Sequence, residues 1–323
     1  MFSTKAIQTE ESLFSASKTP VSDLVLEDES IAQFFTGLTK EKRTVLYDFL
    51  GEAKHSLQLL GRKEGAISGN VRSMSIQCQF LLTLVILRRN KTYKECGYLF
   101  HVSVSEVSEI FRTWLQFINC KFRDMRQKMF LHKADLPKPL PSDFNNALLR
   151  DVMLVIDCTE FGCEMSTNYD QQGNTFSPYK HKNTYKALLG VTPTGFGSYV
   201  SDCFEGRISD RMITQKSDLL DFIKEGDVIL ADRGFNCDDL FAAKGARLIV
   251  PPHLSGKDKF TVEEESIATV IAKARIHVER FNQRVKVFKY VSDPIPLYKA
   301  PLISQAVFVC CMLANMSKML NNK

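Results

Sequence analysis

The stretch Val152-Met153-Leu154-Val155-Ile156-Asp157 decides the reading of this chain, together with its counterpart Val228-Ile229-Leu230-Ala231-Asp232. Each is an apolar, strand-like run that ends at an aspartate. A third acid, Glu279, lies in Arg275-Ile276-His277-Val278-Glu279-Arg280, inside a long helical pattern. Two strand-end carboxylates and one helix carboxylate can converge on a pair of divalent cations. Such a pair, about 3.5–4 Å apart, stabilises both the attacking and the leaving oxygen of a phosphodiester displacement.

Around these runs the pattern is that of a mixed α/β domain over residues 151–320. Further strand-like runs lie at Thr184–Val191, Ser198–Cys203 and Arg247–Val250. The first three strands follow one another through short connections, which predicts antiparallel pairing. The later strand–helix alternation predicts parallel crossovers. Helices are expected over 209–223, 237–243, 263–290 and 302–320. The last is apolar nearly all round and should be buried.

Residues 123–150, with Pro137, Pro139 and Pro141, read as a linker. Before it, residues 31–122 are helical, and 74–122 carry a helix-turn-helix pattern. It consists of a helix through Arg89, a short helix capped by Thr92, a turn at His101-Val102-Ser103, and a longer helix capped by Ser103 or Ser105. Val107, Ile110, Phe111, Trp114, Leu115 and Ile118 give that last helix its apolar face. A plain helical hairpin has the same pattern, and Arg112 is the only cation in the middle of the longer helix. Residues 61–73 form a Gly/Arg/Lys/Ser loop. Residues 1–30 are Ser/Thr/Glu-rich and read as a disordered acidic tail.

The 323 residues are 44% hydrophobic and 24% charged, an ordinary soluble composition. Of the nine cysteines none forms a CxxC pair, so they read as reduced core residues rather than zinc ligands. No signal peptide and no membrane span is expected; the run Phe80–Leu87 is too short to cross a bilayer. The net charge of +5 is uneven, because residues 1–60 carry six basic and nine acidic residues. The basic surplus of the remainder favours a polyanionic partner.

The helix around Glu279 shows three kinds of position. Ile267, Val270, Ile271, Ala274, Val278, Phe281, Val285 and Phe288 form a core stripe. Arg275, Glu279, Gln283 and Lys286 form a neighbouring stripe, and Arg280 and Arg284 a second basic pair. Lys180, Lys182 and Lys186 alternate with Tyr179 and Tyr185, which suits a nucleic-acid backbone. Each of these residues also has a plainer reading. Glu279 could pair with Arg275, Asp232 could serve a turn, and the lysines could line a half-exposed strand.

Several motifs together resemble the DDE superfamily endonucleases of the Harbinger or insertion-sequence transposase type, in particular the subgroup often fused to THAP zinc fingers. They are Val155-Ile156-Asp157-Cys158-Thr159-Glu160; Tyr179-Lys180 with Asn183-Thr184-Tyr185-Lys186; Val200-Ser201-Asp202 with Gly206-Arg207-Ile208-Ser209-Asp210; Ala231-Asp232-Arg233-Gly234-Phe235; and Arg275 to Arg280. The resemblance covers about residues 74–318. It implies an RNase H-like sheet flanked by helices, with an all-α helix-turn-helix in front. It also implies Asp157, Asp232 and Glu279 as catalytic metal ligands for Mg²⁺ or Mn²⁺, and a nuclear nuclease acting on DNA. Arg112, Lys180, Lys186, Arg275, Arg280 and Lys286 are the expected DNA contacts. A homo-oligomer or a separate DNA-binding partner is expected too. No THAP-like Cys/His pattern stands near the N-terminus, a departure from the subgroup that bears on recognition of transposon ends. Against the enzyme stands an inactive descendant that binds DNA or protein.

Overall fold

The computed structural model of the chain describes residues 28–60, 74–254, 256 and 258–317. The expected tail lies outside the described residues up to position 27, as does the whole loop over 61–73. Helix α1 (Glu29–Thr36) starts at Asp28, whose carboxylate accepts from Ile31 N at 2.8 Å. Helix α2 (Lys40–Phe49) is capped by Thr39. Helix α3 (Ile76–Arg89) is buried without a break from Gln79 to Leu87.

Helices α4 (Tyr93–Phe100) and α5 (Val104–Arg123) form the helix-turn-helix that the caps predict. Thr92 Oγ1 accepts from Glu95 N at 3.1 Å and Glu95 Oε2 accepts from Thr92 N at 2.8 Å. This reciprocal box satisfies two backbone donors that the first turn leaves over. His101 ends α4 in the left-handed region, and Ser103 caps α5. The turn is tight because Gly97 has no Cβ, which would stand 2.8 Å from the Val102 carbonyl oxygen. Trp114, the one tryptophan, is fully buried and donates Nε1 to Gln79 Oε1 at 3.0 Å, tying α5 to α3.

Residues 123–150 are packed against the fold rather than strung between domains. They form helix α6 (Arg126–Met129) and bury Phe130, Leu136, Phe144 and Leu149.

The sheet contains β1 (Val152–Gly162), β2 (Phe176–Ser177), β3 (Lys182–Val191), β4 (Gly197–Val200), β5 (Phe204–Glu205), β6 (Val228–Leu230) and β7 (Arg247–Ile249). Its order is β2-β3-β1-β6-β7, with β4 and β5 also paired to β3. β1–β3 and β3–β4 are antiparallel; β1–β6 and β6–β7 are parallel, as the connections predict. One expectation fails. β1 does not stop at Asp157 but runs on to Gly162, with Asp157 opposite Leu189. The antiparallel partner β3 is long enough to carry β1 through Gly162, whereas the parallel partner β6 ends at Leu230, level with Val155. Asp157 therefore sits where β1 loses one neighbour and keeps the other. β2 and β5 have two residues each, too few for a periodic signal.

The remaining helices are α7 (Tyr169–Thr175), α8 (Asp210–Lys216), α9 (Leu219–Phe222), α10 (Asp238–Ala242), α11 (Val262–Lys286), α12 (Lys289–Ser292) and α13 (Ile303–Met316). The single helix expected over 209–223 is two, α8 and α9. The break falls at Ser217-Asp218, where Arg126 and the Tyr199 hydroxyl hold the Asp218 carboxylate. The helix expected to reach Tyr290 stops at Lys286 and resumes as α12.

Ile271, Ala274, Val278 and Phe281 of α11 share a core with Val155 and Phe161 of β1. Leu154 and Ile156 face the other way, onto Ile213, Leu219, Phe222 and Phe241 from α8 to α10. Helix α13 is buried from Ala306 to Ala314 and joins the first core, which also contains Trp114 and Ile118. The stretch Leu297–Met316 is long and apolar enough to cross a membrane, and here it packs as a core helix. The architecture is a mixed sheet flanked by helices, RNase H-like as expected, with the helix-turn-helix region sharing its core.

Gly197 sets how closely α11 approaches the sheet, because a Cβ there would lie 2.2 Å from the Phe281 ring. Gly197→Ala should lower stability by about 1–3 kcal/mol, the usual cost of overpacking a core. Urea unfolding followed by Trp114 fluorescence measures it. An unchanged midpoint would show that α11 is not seated through this contact.

Candidate active site

Asp157 and Asp232 come from adjacent parallel strands. β6 ends at Leu230 and the chain turns at Asp232-Arg233-Gly234, which places Asp232 beside mid-strand Asp157. Asp157 is half-buried, while the Asp232 side chain is 46% exposed. Helix α11 crosses above them. Asn282 Nδ2 donates to Asp157 Oδ2 at 2.9 Å, and Arg275 Nη1 stands 3.1 Å from Asp232 Oδ1. Burial pushes the Asp157 carboxyl up to about 6. The Asp232 and Asp210 charges add to the rise, and Arg275 and the Asn282 bond oppose it.

Behind this pair lies a second acid–base contact. Asp210, at the start of α8, has Lys186 Nζ 2.6 Å from its Oδ1, and Lys186 also donates to the Ile208 carbonyl at 3.1 Å. The turn after β6 passes so close that a Cβ on Gly234 would stand 2.9 Å from Asp210 Oδ2.

Glu279 lies four residues after Arg275 and three before Asn282, on the same face of α11 as both. Its side chain is exposed and makes no hydrogen bond or ion pair among the described residues. Asp157 and Asp232 are thus brought together, and Glu279 stands on the right face without joining them. Among the described residues no three His, Cys, Asp or Glu side chains form a group able to hold a metal ion. The donor set around the pair nonetheless suits a hard divalent cation, since it consists of carboxylate and amide oxygens. Asn282 Oδ1 is buried with no hydrogen-bond partner, an acceptor turned to no other group beside the two acids.

The expected DNA contacts separate into groups. Lys286 ends the acid face of α11, and Lys180 and Lys182 lie near it on the approach to β3 and along it. Although Lys286 reaches solvent, desolvation first and the Lys180 and Lys182 ammoniums next push its pKa down, against Asp157 and Glu160. Exposed Tyr179 sits under Lys180 Nζ, 4.6 Å from the ring centroid. Lys186 does not reach this surface, for its ammonium is committed to Asp210 and Ile208. Arg275 is committed to Asp232. Arg280 points off the opposite side of α11. Arg112 is exposed midway along α5.

Sequence reasoning missed Asn282 and took Gln283 as the next polar residue of the stripe. Gln283 is exposed; the i+7 spacing from Arg275 favours 282. Glu160, close to Asp157 in sequence, accepts from the Thr184 hydroxyl at 2.8 Å instead. His277 pairs with Asp143 at 3.2 Å, away from the acids.

Residues 156–315 match the family described as DDE superfamily endonuclease, and residues 72–124 match the helix-turn-helix of DDE superfamily endonuclease. Together, and in this order, they support a DDE superfamily endonuclease with a preceding helix-turn-helix. No curated protein and no solved structure matches the chain.

The raised Asp157 pKa fixes the sign of a stability effect. An aspartate near 3.9 when unfolded and about 6 when folded costs nothing below pH 4, and its penalty grows as pH rises through 6. In metal-free buffer at pH 7.5, Asp157→Asn should therefore melt a few degrees higher than the wild type, a gain of about 1–3 kcal/mol. The difference should shrink to about a third at pH 4.5 and close below pH 4. Equal melting at pH 7.5 would show that the pair is not strained by its charge.

Proposed function

We propose that this chain is a divalent-metal-dependent DNA endonuclease of transposase type, Harbinger-like in its motifs and acting in the nucleus. The observation that carries the reading is the pair formed by Asp157 on β1 and Asp232 just past the end of its parallel neighbour β6, bridged to α11 through Arg275 and Asn282. Asp157 and Asp232 would hold Mg²⁺ or Mn²⁺, and Glu279 would complete the ligand set by turning its free side chain inward. The cations, when bound, supply Lewis-acid stabilisation of a phosphodiester displacement. Asn282 holds one Asp157 oxygen, which fixes the carboxylate plane. Arg275 neutralises Asp232 and keeps the two acids near one another. Lys180, Lys182 and Lys286 offer three cations beside the acids, and Tyr179 an exposed ring on which a base can stack.

A second reading rests on Glu279. An exposed third acid and an arginine seated on the second fit a DNA-binding descendant that no longer cuts.

Cleavage of supercoiled DNA in Mg²⁺ or Mn²⁺ separates the two. Asp232→Asn keeps the size and hydrogen bonding of the side chain but removes a negative charge. It should lower the cleavage rate by about 10²-fold or more while DNA binding persists, because a lost metal ligand acts on transition-state charge. Glu160→Gln should cost much less. Equal and mild losses in both variants, or a wild type that binds DNA and never cuts it, would favour the second reading.

A further inference from the structure

Helix α11 has a second charged face. One residue turns the helix by about 100°, so His277, Arg280 and Arg284 lie on the side away from Arg275, Glu279, Asn282 and Lys286. This face lines a cavity of about 330 Å³, closed by Pro139, Leu140 and Pro141 from the packed segment before the sheet and by Thr194-Gly195 from the β3–β4 turn.

Arg284 is the unusual member. Only 8% of it is exposed, yet among the described residues it has no carboxylate partner. Its one hydrogen bond among these residues goes from Nη2 to the Gly195 carbonyl, and its guanidinium lies 5.1 Å from the centroid of the Phe281 ring. A guanidinium has five N–H donors, so most of its capacity is unused, and the remaining nitrogens are not sealed inside the protein but open to the cavity that Arg284 lines. Burial alone pushes its pKa down. Arg280, four residues earlier, reaches the same cavity and makes no ion pair among the described residues. His277 is already paired with Asp143, so the two arginines are the free charges of the pocket.

Two arginines without anions on one wall and apolar ring surface on the other make a recognisable combination. Paired arginine forks suit a phosphate group, and proline and leucine suit the flat or ring part of a ligand. The volume is at the small end of ligand sites, enough for one nucleotide and not for a duplex. We propose that this cavity binds a single nucleotide unit, its phosphate between Arg280 and Arg284 and its sugar and base against Pro139, Leu140 and Pro141. The site lies across α11 from the acid pair. The unit can be one nucleotide of a DNA strand or a free mononucleotide.

The test uses the full chain and three probes: deoxyadenosine monophosphate and inorganic phosphate by calorimetry, and a short labelled single-stranded oligonucleotide by anisotropy. The mononucleotide should bind saturably and more tightly than phosphate. Arg280→Gln, at a partly exposed position, should weaken it about tenfold or more, the scale of a lost charge-assisted bond. Thr194→Trp, which narrows the mouth without changing charge, should weaken it similarly. Lys244→Gln, an exposed charge on another surface, should leave it unchanged. If the oligonucleotide responds to both pocket variants and displaces the mononucleotide, the natural source is a DNA strand. If only the mononucleotide responds, it is a free nucleotide. No saturable binding of either nucleotide probe overturns the proposal. So does binding that Arg280→Gln and Thr194→Trp leave intact, a loss in Lys244→Gln equal to that in Arg280→Gln, or phosphate binding as tight as the mononucleotide.

Discussion

Two carboxylates that repel one another, one of them half-buried, must be held side by side, and much of the molecule is arranged to make that tolerable. Asp157 does not gain from the arrangement, whereas Asp232 is paired with Arg275. Burial and mutual repulsion push Asp157 toward its neutral form. The neighbouring groups that soften this, Arg275 and Asn282, both arrive from a distant position in the chain, on α11. Replacing Asp157 by a neutral residue of the same size would relieve this cost.

Helix α11 is the element that makes the site possible, because it has to satisfy three surfaces at once. One stripe, Ile271, Ala274, Val278, Phe281 and Val285, is buried against the sheet. The second stripe meets the acids, and the third lines the arginine pocket. Its start is fixed by a reciprocal cap between Thr261 and Glu264, with Glu263 and Glu265 also in the first turn, where negative charge favours the helix dipole. Its rotation about its own axis is fixed by the Gly197–Phe281 contact. A small rotation would carry Asn282 off Asp157 and move Arg284 in the pocket on the other side. The two faces cannot be adjusted independently.

The sequence carried the periodic part of this architecture and not the part made by contact across the chain. Long apolar runs announced β1, β3 and β6, and side-chain caps announced α4 and α5, because each signal is local. The parallel and antiparallel pairings followed from connection length. Asp157 stood out as the acid closing an apolar run but was misplaced as a strand end, since the extent of β1 depends on β3, which pairs with it some thirty residues later. The two-residue strands and the break between α8 and α9 left no periodic trace. Asn282 was hidden for a different reason, because a lone amide on a long helix shows its role only when the helix crosses an acid. Lys186 had the opposite fate. It read as a surface cation by alternation with tyrosines, and Asp210, from outside that strand, claimed it.

The helix-turn-helix is built into the same core as the sheet, and this limits how it could meet DNA. Helix α5 buries Val107, Ile110, Phe111, Trp114, Leu115, Ile118 and Phe122, against α3 on one side and α13 on the other. Its first turn, Ser103 to Ser105, and Arg112 remain at the surface. Recognition helices read base edges mainly through their N-terminal residues, so the free part of α5 is the part that such reading requires. It has hydroxyls and one arginine rather than a basic stripe, a weak surface for phosphate attraction. Arg88 Nη1 donates to the Val287 carbonyl at 2.9 Å, so α3 is fastened directly to the end of α11, the helix that holds Arg275, Glu279 and Asn282, and Lys299 bonds Asn90 at 2.8 Å, tying the end of α3 to the turn before α13.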